Sequence, residues 1–156
     1  MALVLFDTNI LIDALKGYRQ AIDELAFWDE PAISVITWME IYAGAKTSEV
    51  GRLDHFMSDF GFEIIHTDGD IMREAARVRS ESRQIGPKIA LPDAIIIATA
   101  RTRDLPVITR NTKDFRDPKV RIPYELKTSG PATTVINATS PQDWADGRQL
   151  PTTRIK

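Results

Sequence analysis

The sequence predicts an α/β fold in which helices cover both faces of a mainly parallel sheet, and three observations predict it. Its strand candidates are uniformly apolar rather than alternating, as strands buried on both faces are. They are separated by stretches whose apolar residues recur at helical spacing, the pattern of strand–helix–strand crossovers. The chain has 156 residues, 43% of them hydrophobic and 27% charged, enough to bury roughly two-thirds of the surface it exposes when unfolded. One compact unit therefore needs no covalent staple, and none is available. There is no cysteine and there are only two histidines, which excludes disulfides, thiolate zinc sites, cysteine nucleophiles and a histidine-rich metal cage.

The elements follow in order. Ala2 to Phe6 is an apolar strand ending at Asp7, and Ile10, Leu11, Ala14 and Leu15 then repeat as a helix does. Tyr18 to Trp28 reads as a second helix with Ile22, Leu25 and Ala26 on one face, followed by a strand over Ala32 to Val35. A helix opens at Thr37 and carries Ile41 and Ala45; another, marked by Leu53, Phe56, Met57 and Phe60, stops at Gly61. Phe62 to His66 is the third strand. Ile71, Ala75, Ala76 and Val78 mark a helix to about Ser82, before the Gly86-Pro87 break. After Pro92 a helix spans Asp93 to Arg103, and Pro106 to Thr109 and Val120 to Ile122 are the fourth and fifth strands. Right-handed crossovers are expected. Residues 128–156 differ, being rich in Thr, Pro and Gly with Val135, Ile136 and Trp144 as packing anchors; they read as an added strand, a dimer arm or disorder. Trp28 and Trp38 read as core.

The net charge of −2 hides an asymmetry. Residues 1–70 hold 13 Asp/Glu against 4 Lys/Arg, whereas residues 71–128 hold 7 against 13. An acidic half beside a basic half suits a cation site next to a phosphate-binding rim. The alternative for Arg73, Arg77, Arg79 and Arg83 is the solvated face of a helix. No apolar run approaches the ~20 residues of a bilayer span, and no basic segment precedes the first. The chain is expected to be soluble, unprocessed and cytoplasmic, without a membrane partner.

In a parallel sheet the loop after each strand, and the start of each helix preceding a strand, lie at the carboxyl edge, where crevices form at the reversal of strand order. Asp7, Glu40, Asp93, Asn111 and Asp114 all fall there. Taken singly, each has a plainer reading. Asp7 suits an N-cap, Thr37 and Glu40 have the spacing of a capping box, and Asp93 after a proline suits the positive end of a helix. Thr67 and Asp70 meet the same positional criterion with nothing else to recommend them. The conjunction carries the chemistry. Carboxylates sharing one crevice must protonate or gain a compensating charge, from a lysine or a divalent cation. Carboxylate oxygens suit Mg²⁺ or Mn²⁺, which can activate water and offset charge on a phosphate during in-line displacement.

Four segments in order, Leu5-Phe-Asp-Thr-Asn-Ile-Leu-Ile-Asp13, Trp38-Met-Glu40 with Gly44 beyond, Leu91-Pro-Asp-Ala-Ile-Ile-Ile-Ala-Thr-Ala100 and Val107-Ile-Thr-Arg-Asn-Thr-Lys-Asp-Phe115, resemble the PIN-domain ribonucleases, and among them the VapC toxins of type II toxin–antitoxin pairs. The resemblance covers about residues 2–125. It implies a three-layer α/β/α fold over residues 1–127, with 128–156 as an extension. It also implies a metal-dependent endoribonuclease using Mg²⁺ or Mn²⁺, an RNA substrate, a homodimer and a cognate antitoxin. Asp7, Asp93 and Glu40 match the metal positions. Asn111 matches a position often occupied by Asp, with Asp114 able to compensate. Thr8, Asn9 and Thr109 match supporting polar positions, and Arg110 and Lys113 are candidate phosphate contacts.

Rivals remain. A haloacid-dehalogenase-like phosphatase would use Asp7 as nucleophile, but carries an acid two residues on, where this chain has Asn9. Ala45-Lys-Thr47 lacks the glycines of a nucleotide-binding loop, and a histidine-pair nuclease would need His55 and His66 to meet. A PIN-like binding module without catalysis is the rival from another class, and the presence of all three acidic positions argues against it.

Overall fold

The computed structural model describes residues 3–148; Ala2, expected in the first strand, and the tail residues 149–156 lie outside the described residues. Five parallel strands, β1 (Leu3–Phe6), β2 (Glu30–Ser34), β3 (Glu63–Ile65), β4 (Val107–Ile108) and β5 (Val120–Arg121), form one sheet in the order β3-β2-β1-β4-β5. Leu5 aligns with Ala32 on one side and Val107 on the other, so β1 is central. The strand order reverses beside it.

Alternation along β1 explains why its sequence shows none. Val4 and Phe6 face one core, with Ile10, Leu11, Leu25, Trp28, Ile33 and Ile41. That core is supplied by helices α1 (Thr8–Leu15), α2 (Arg19–Phe27), α3 (Val35–Gly44) and α4 (Val50–Phe60). Leu5 faces the other, with Ala32, Val78, Ala94, Ile97 and Val107, beneath α5 (Gly69–Ile85) and α6 (Leu91–Arg103). Successive strand residues point to opposite faces, and both faces are apolar because helices cover both. The expected three-layer α/β/α arrangement is present.

Several boundaries move. Helix α3 starts at Val35, not at Thr37, because Ser34 at the end of β2 accepts the Ile36 N–H at 3.2 Å and caps it. Thr37 is thus a buried residue inside the helix, and the Thr37–Glu40 capping box does not exist. Helix α5 runs past Ser82 to Ile85, and α6 begins at Leu91 with Pro92 in its first turn, where a missing N–H costs nothing. Gly61 closes α4 with φ of 62°, as expected of a left-handed cap. Trp28 is core, but Trp38 is 39% exposed and lies against Tyr42 with ring centroids 4.5 Å apart. Of the four arginines on α5, Arg73, Arg77 and Arg83 are exposed, Arg73 and Arg77 pairing with Asp70 and Glu74. Arg79 is half-buried and donates to the Ile89 carbonyl.

Beyond β5 the chain forms an antiparallel hairpin, β6 (Glu125–Ser129) and β7 (Ala132–Ile136), and a short helix α7 (Pro141–Asp146). The hairpin is a sheet of its own, so it adds no strand to the main one. Leu126, Val135 and Trp144 pack on the first core. Among the described residues no helix is long and apolar enough to cross a membrane.

Candidate active site

Asp7 is the residue at which β1 becomes α1. Its N–H donates to Ile108 O at 2.9 Å, joining the ends of β1 and β4. Its Oδ1 accepts the Thr8 N–H at 2.7 Å, so the capping reading is correct for it. The other oxygen, Oδ2, accepts the Thr109 hydroxyl at 2.6 Å and the Asn9 amide at 3.1 Å. Asp7 is therefore both a cap and the centre of a polar cluster, and is 3% exposed. Burial pushes its carboxyl above the ordinary value, the Thr109 and Thr8 hydrogen bonds pull it back, and the charge of Glu40 pushes it up again.

Glu40 is brought in by Thr8, whose hydroxyl donates to Oε1 at 3.2 Å and lies 2.9 Å from the hydroxyl of Thr37. Thr37 and Glu40, three apart on α3, thus share the face turned toward α1. Asp93, in the first turn of α6, comes from the opposite layer. Its carboxyl is pushed up to about 6, by burial first and then by the charges of Asp7, Asp114 and Glu40. The charges of Asp7, Asp114 and Glu40, from three other segments, are thus near enough to act on Asp93. Among the described residues no side chain hydrogen-bonds the Asp93 carboxyl.

The loop after β4 supplies the remaining side. Thr109 Oγ1, which donates to Asp7, accepts the Asn111 N–H at 3.0 Å. Asn111 Oδ1 accepts the Asp114 N–H and Asn111 Nδ2 donates to Asp114 Oδ2, both at 3.1 Å. Asp114 Oδ1 is buried with no hydrogen-bond partner. The amide at 111 has a physical reason: a carboxylate there would face Asp114 without a donor to offer. Lys113 is exposed beside this loop. The Arg110 guanidinium is engaged by Asp13, to which it gives hydrogen bonds of 2.5 and 3.0 Å. Asp70 pairs with Arg73 at the surface and Asp68, not Asp70, caps α5. Both follow β3, an edge strand separated from β1 by β2. His55 and His66 are both exposed.

Sequence reasoning missed Asp13 and Tyr124, whose hydroxyl donates to Asp13 Oδ2 at 2.7 Å. A signal existed for Asp13, which lies three residues after Ile10 and so on the buried face of α1; Tyr124 left none.

The donor set suits a hard divalent cation. Every side chain around the crevice offers oxygen, and the buried Asp114 Oδ1, which has no hydrogen-bond partner, is an acceptor that a cation would satisfy. Among the described residues, however, no three His, Cys, Asp or Glu side chains are gathered closely enough to form a metal cage. The two findings agree for an ion that keeps several waters and takes one or two carboxylates directly, as Mg²⁺ does. A doubly covered parallel sheet with carboxylates gathered at its switch point defines a class, the α/β proteins with an acidic cleft.

Comparison with known proteins narrows the class. The PIN domain family model matches residues 4–120. Ribonuclease VapC10 of Mycobacterium tuberculosis is 34% identical over 121 residues, covering 72% of this chain and 86% of the relative. A toxin–antitoxin complex from Klebsiella pneumoniae holds a chain of 44% identity and TM-score 0.67, matched over 78% of this chain and 98% of that one. VapBC2 from Rickettsia felis, solved on a DNA fragment from its promoter, matches at 27% identity and TM-score 0.66 over 76% of this chain and 95% of that one. The chain belongs to the PIN-domain family, among its VapC-type toxins.

Proposed function

We propose that this protein is a Mg²⁺- or Mn²⁺-dependent endoribonuclease, the cytoplasmic toxin of a type II toxin–antitoxin module, acting as a homodimer and restrained by a cognate antitoxin. The observation that carries the reading is the convergence of Asp7, Glu40, Asp93 and Asp114 at the crevice beside β1, with a buried acceptor there, Asp114 Oδ1, that no protein donor satisfies. VapC relatives called ribonucleases, and neighbours solved as toxin–antitoxin complexes, support the RNA substrate and the antitoxin.

Asp7 and Asp93 would hold the cation, with Glu40 completing its oxygen shell directly or through water. When bound, the ion supplies Lewis acidity to the attacking water and the scissile phosphate. Thr109 and Asn9 keep Asp7 oriented, and Thr8 keeps Glu40 turned into the crevice. Asn111 keeps Asp114 there. Lys113, exposed at the rim, offers a charge to the RNA backbone. A phosphatase using Asp7 as nucleophile is disfavoured, since Asn9, two residues on, supplies no acid.

The test is partner-free protein incubated with total RNA and Mn²⁺, with and without chelator, and mapping of new ends. Cleavage that chelator stops is expected. Asp7→Asn and Asp93→Asn should each lose more than the roughly 10–100-fold that outer-shell partners cost. Intact RNA throughout would leave the binding-module reading, and full activity in either variant would reject the metal ligands.

A further inference from the structure

Arg110 is held at both of its ends. Its side chain makes a two-pronged bond to Asp13, Nε to Oδ2 at 2.5 Å and Nη2 to Oδ1 at 3.0 Å. Its main-chain N–H donates to Asn9 Oδ1 at 3.2 Å, while Asn9 Nδ2 reaches Asp7 Oδ2 and Thr109 Oγ1. Asp13 is 2% exposed, and its Oδ2 also accepts the hydroxyl of the fully buried Tyr124. Burial, and then the bond to Asp13, push that phenol up, so it stays a donor. Three parts of the chain meet in this cluster: the second turn of α1, the loop after β4 and the segment after β5. The residue they grip lies between Thr109, which holds Asp7, and Asn111, which holds Asp114.

A buried ion pair is a poor device for stability alone, because desolvation offsets most of the attraction. It is a good device for geometry, since the planar guanidinium fits a carboxylate in one orientation. We propose that Asp13, Arg110 and Tyr124 form a positioning cluster that fixes the 109–114 loop against Asp7 and Asp93, and that Arg110 acts through this loop rather than by touching RNA phosphate. The proposal rests on the nuclease reading above and deepens it.

The test uses the full chain, free of any partner. Arg110→Met combined with Asp13→Leu removes the pair without leaving a buried charge unpaired. Expected are a kcat lower by roughly 10–100-fold, the usual cost of an outer-shell partner, an unchanged KM and salt dependence, and Mn²⁺ affinity by calorimetry weakened about tenfold. Arg110→Lys should not rescue, because an ammonium cannot make the two-pronged bond. A raised KM with unchanged kcat and a shallower salt dependence would mark a phosphate contact and overturn the proposal. So would wild-type kcat and Mn²⁺ affinity in a folded double variant. If that variant does not fold, Tyr124→Phe decides: a several-fold loss of kcat at constant KM supports the cluster, and no loss overturns it. If the wild type binds Mn²⁺ but cuts no RNA, the nuclease reading falls alone, and the affinity comparison still judges the cluster. A wild type that binds no Mn²⁺ overturns both.

Discussion

The carboxyl of Asp93 has a value of about 6 against an ordinary 3.8, because burial and then the charges of Asp7, Asp114 and Glu40 oppose its ionisation. The folded chain therefore holds this proton more tightly than the unfolded chain does. The resulting stabilisation is complete below about pH 4 and is lost as the pH rises through about 6. With chelator present, calorimetric scans should show Asp93→Asn matching the wild type near pH 4 and melting a few degrees higher at pH 7. Mn²⁺ at pH 7 should raise the wild type and leave the variant where it was; equal melting temperatures at both pH values would contradict the crowding of charge. At this scale the sequence was informative where a residue type is costly to misplace. Asp7, Glu40 and Asp93 could be nominated because three acids at one sheet edge demand compensation. That Arg110 turns to Asp13 could not be read, since a guanidinium serves RNA and a buried acid equally well.

Elements were legible where punctuation is local, as at Gly61 and Pro92, and misread where two local signals competed. Ser34 and Thr37 both suit a helix start, and Glu40 completes a capping box only with the second. The tertiary structure chooses Ser34, because Glu40 is turned toward Thr8 across the crevice and cannot also reach back to its own helix end. Urea unfolding separates the two roles. Ser34→Ala should cost about 1 kcal/mol, the typical worth of such a cap, whereas Glu40→Gln should cost little stability and show its loss in cleavage and Mn²⁺ binding. A destabilised, fully active Glu40→Gln would restore the capping reading.

Across the whole molecule, the sequence could place strands but not order them, since β1 pairs with partners distant on either side and nothing local records that choice. The same blindness applied to the chain after β5, whose polar composition conceals how it is anchored. Arg121, 1% exposed, gives Glu24 bonds of 2.7 and 2.9 Å, and reaches the Thr139 hydroxyl and carbonyl at 3.1 and 2.8 Å. Trp28 donates to the same Glu24, and Trp144 of α7 meets Trp28 edge-on at 6.0 Å. Helix α2, strand β5 and the segment leading into α7 are thereby joined through one buried charge pair. Removing one partner strands the other in a low-dielectric interior, so Arg121→Met should destabilise by about 3–5 kcal/mol. Adding Glu24→Gln removes the stranded charge while keeping an acceptor for Trp28, and should recover more than half of that loss. Denaturant unfolding followed by tryptophan emission reads both. If the two substitutions add instead of compensating, the pair is not the anchor, and the apolar contacts of Leu126, Val135 and Trp144 hold the segment by themselves.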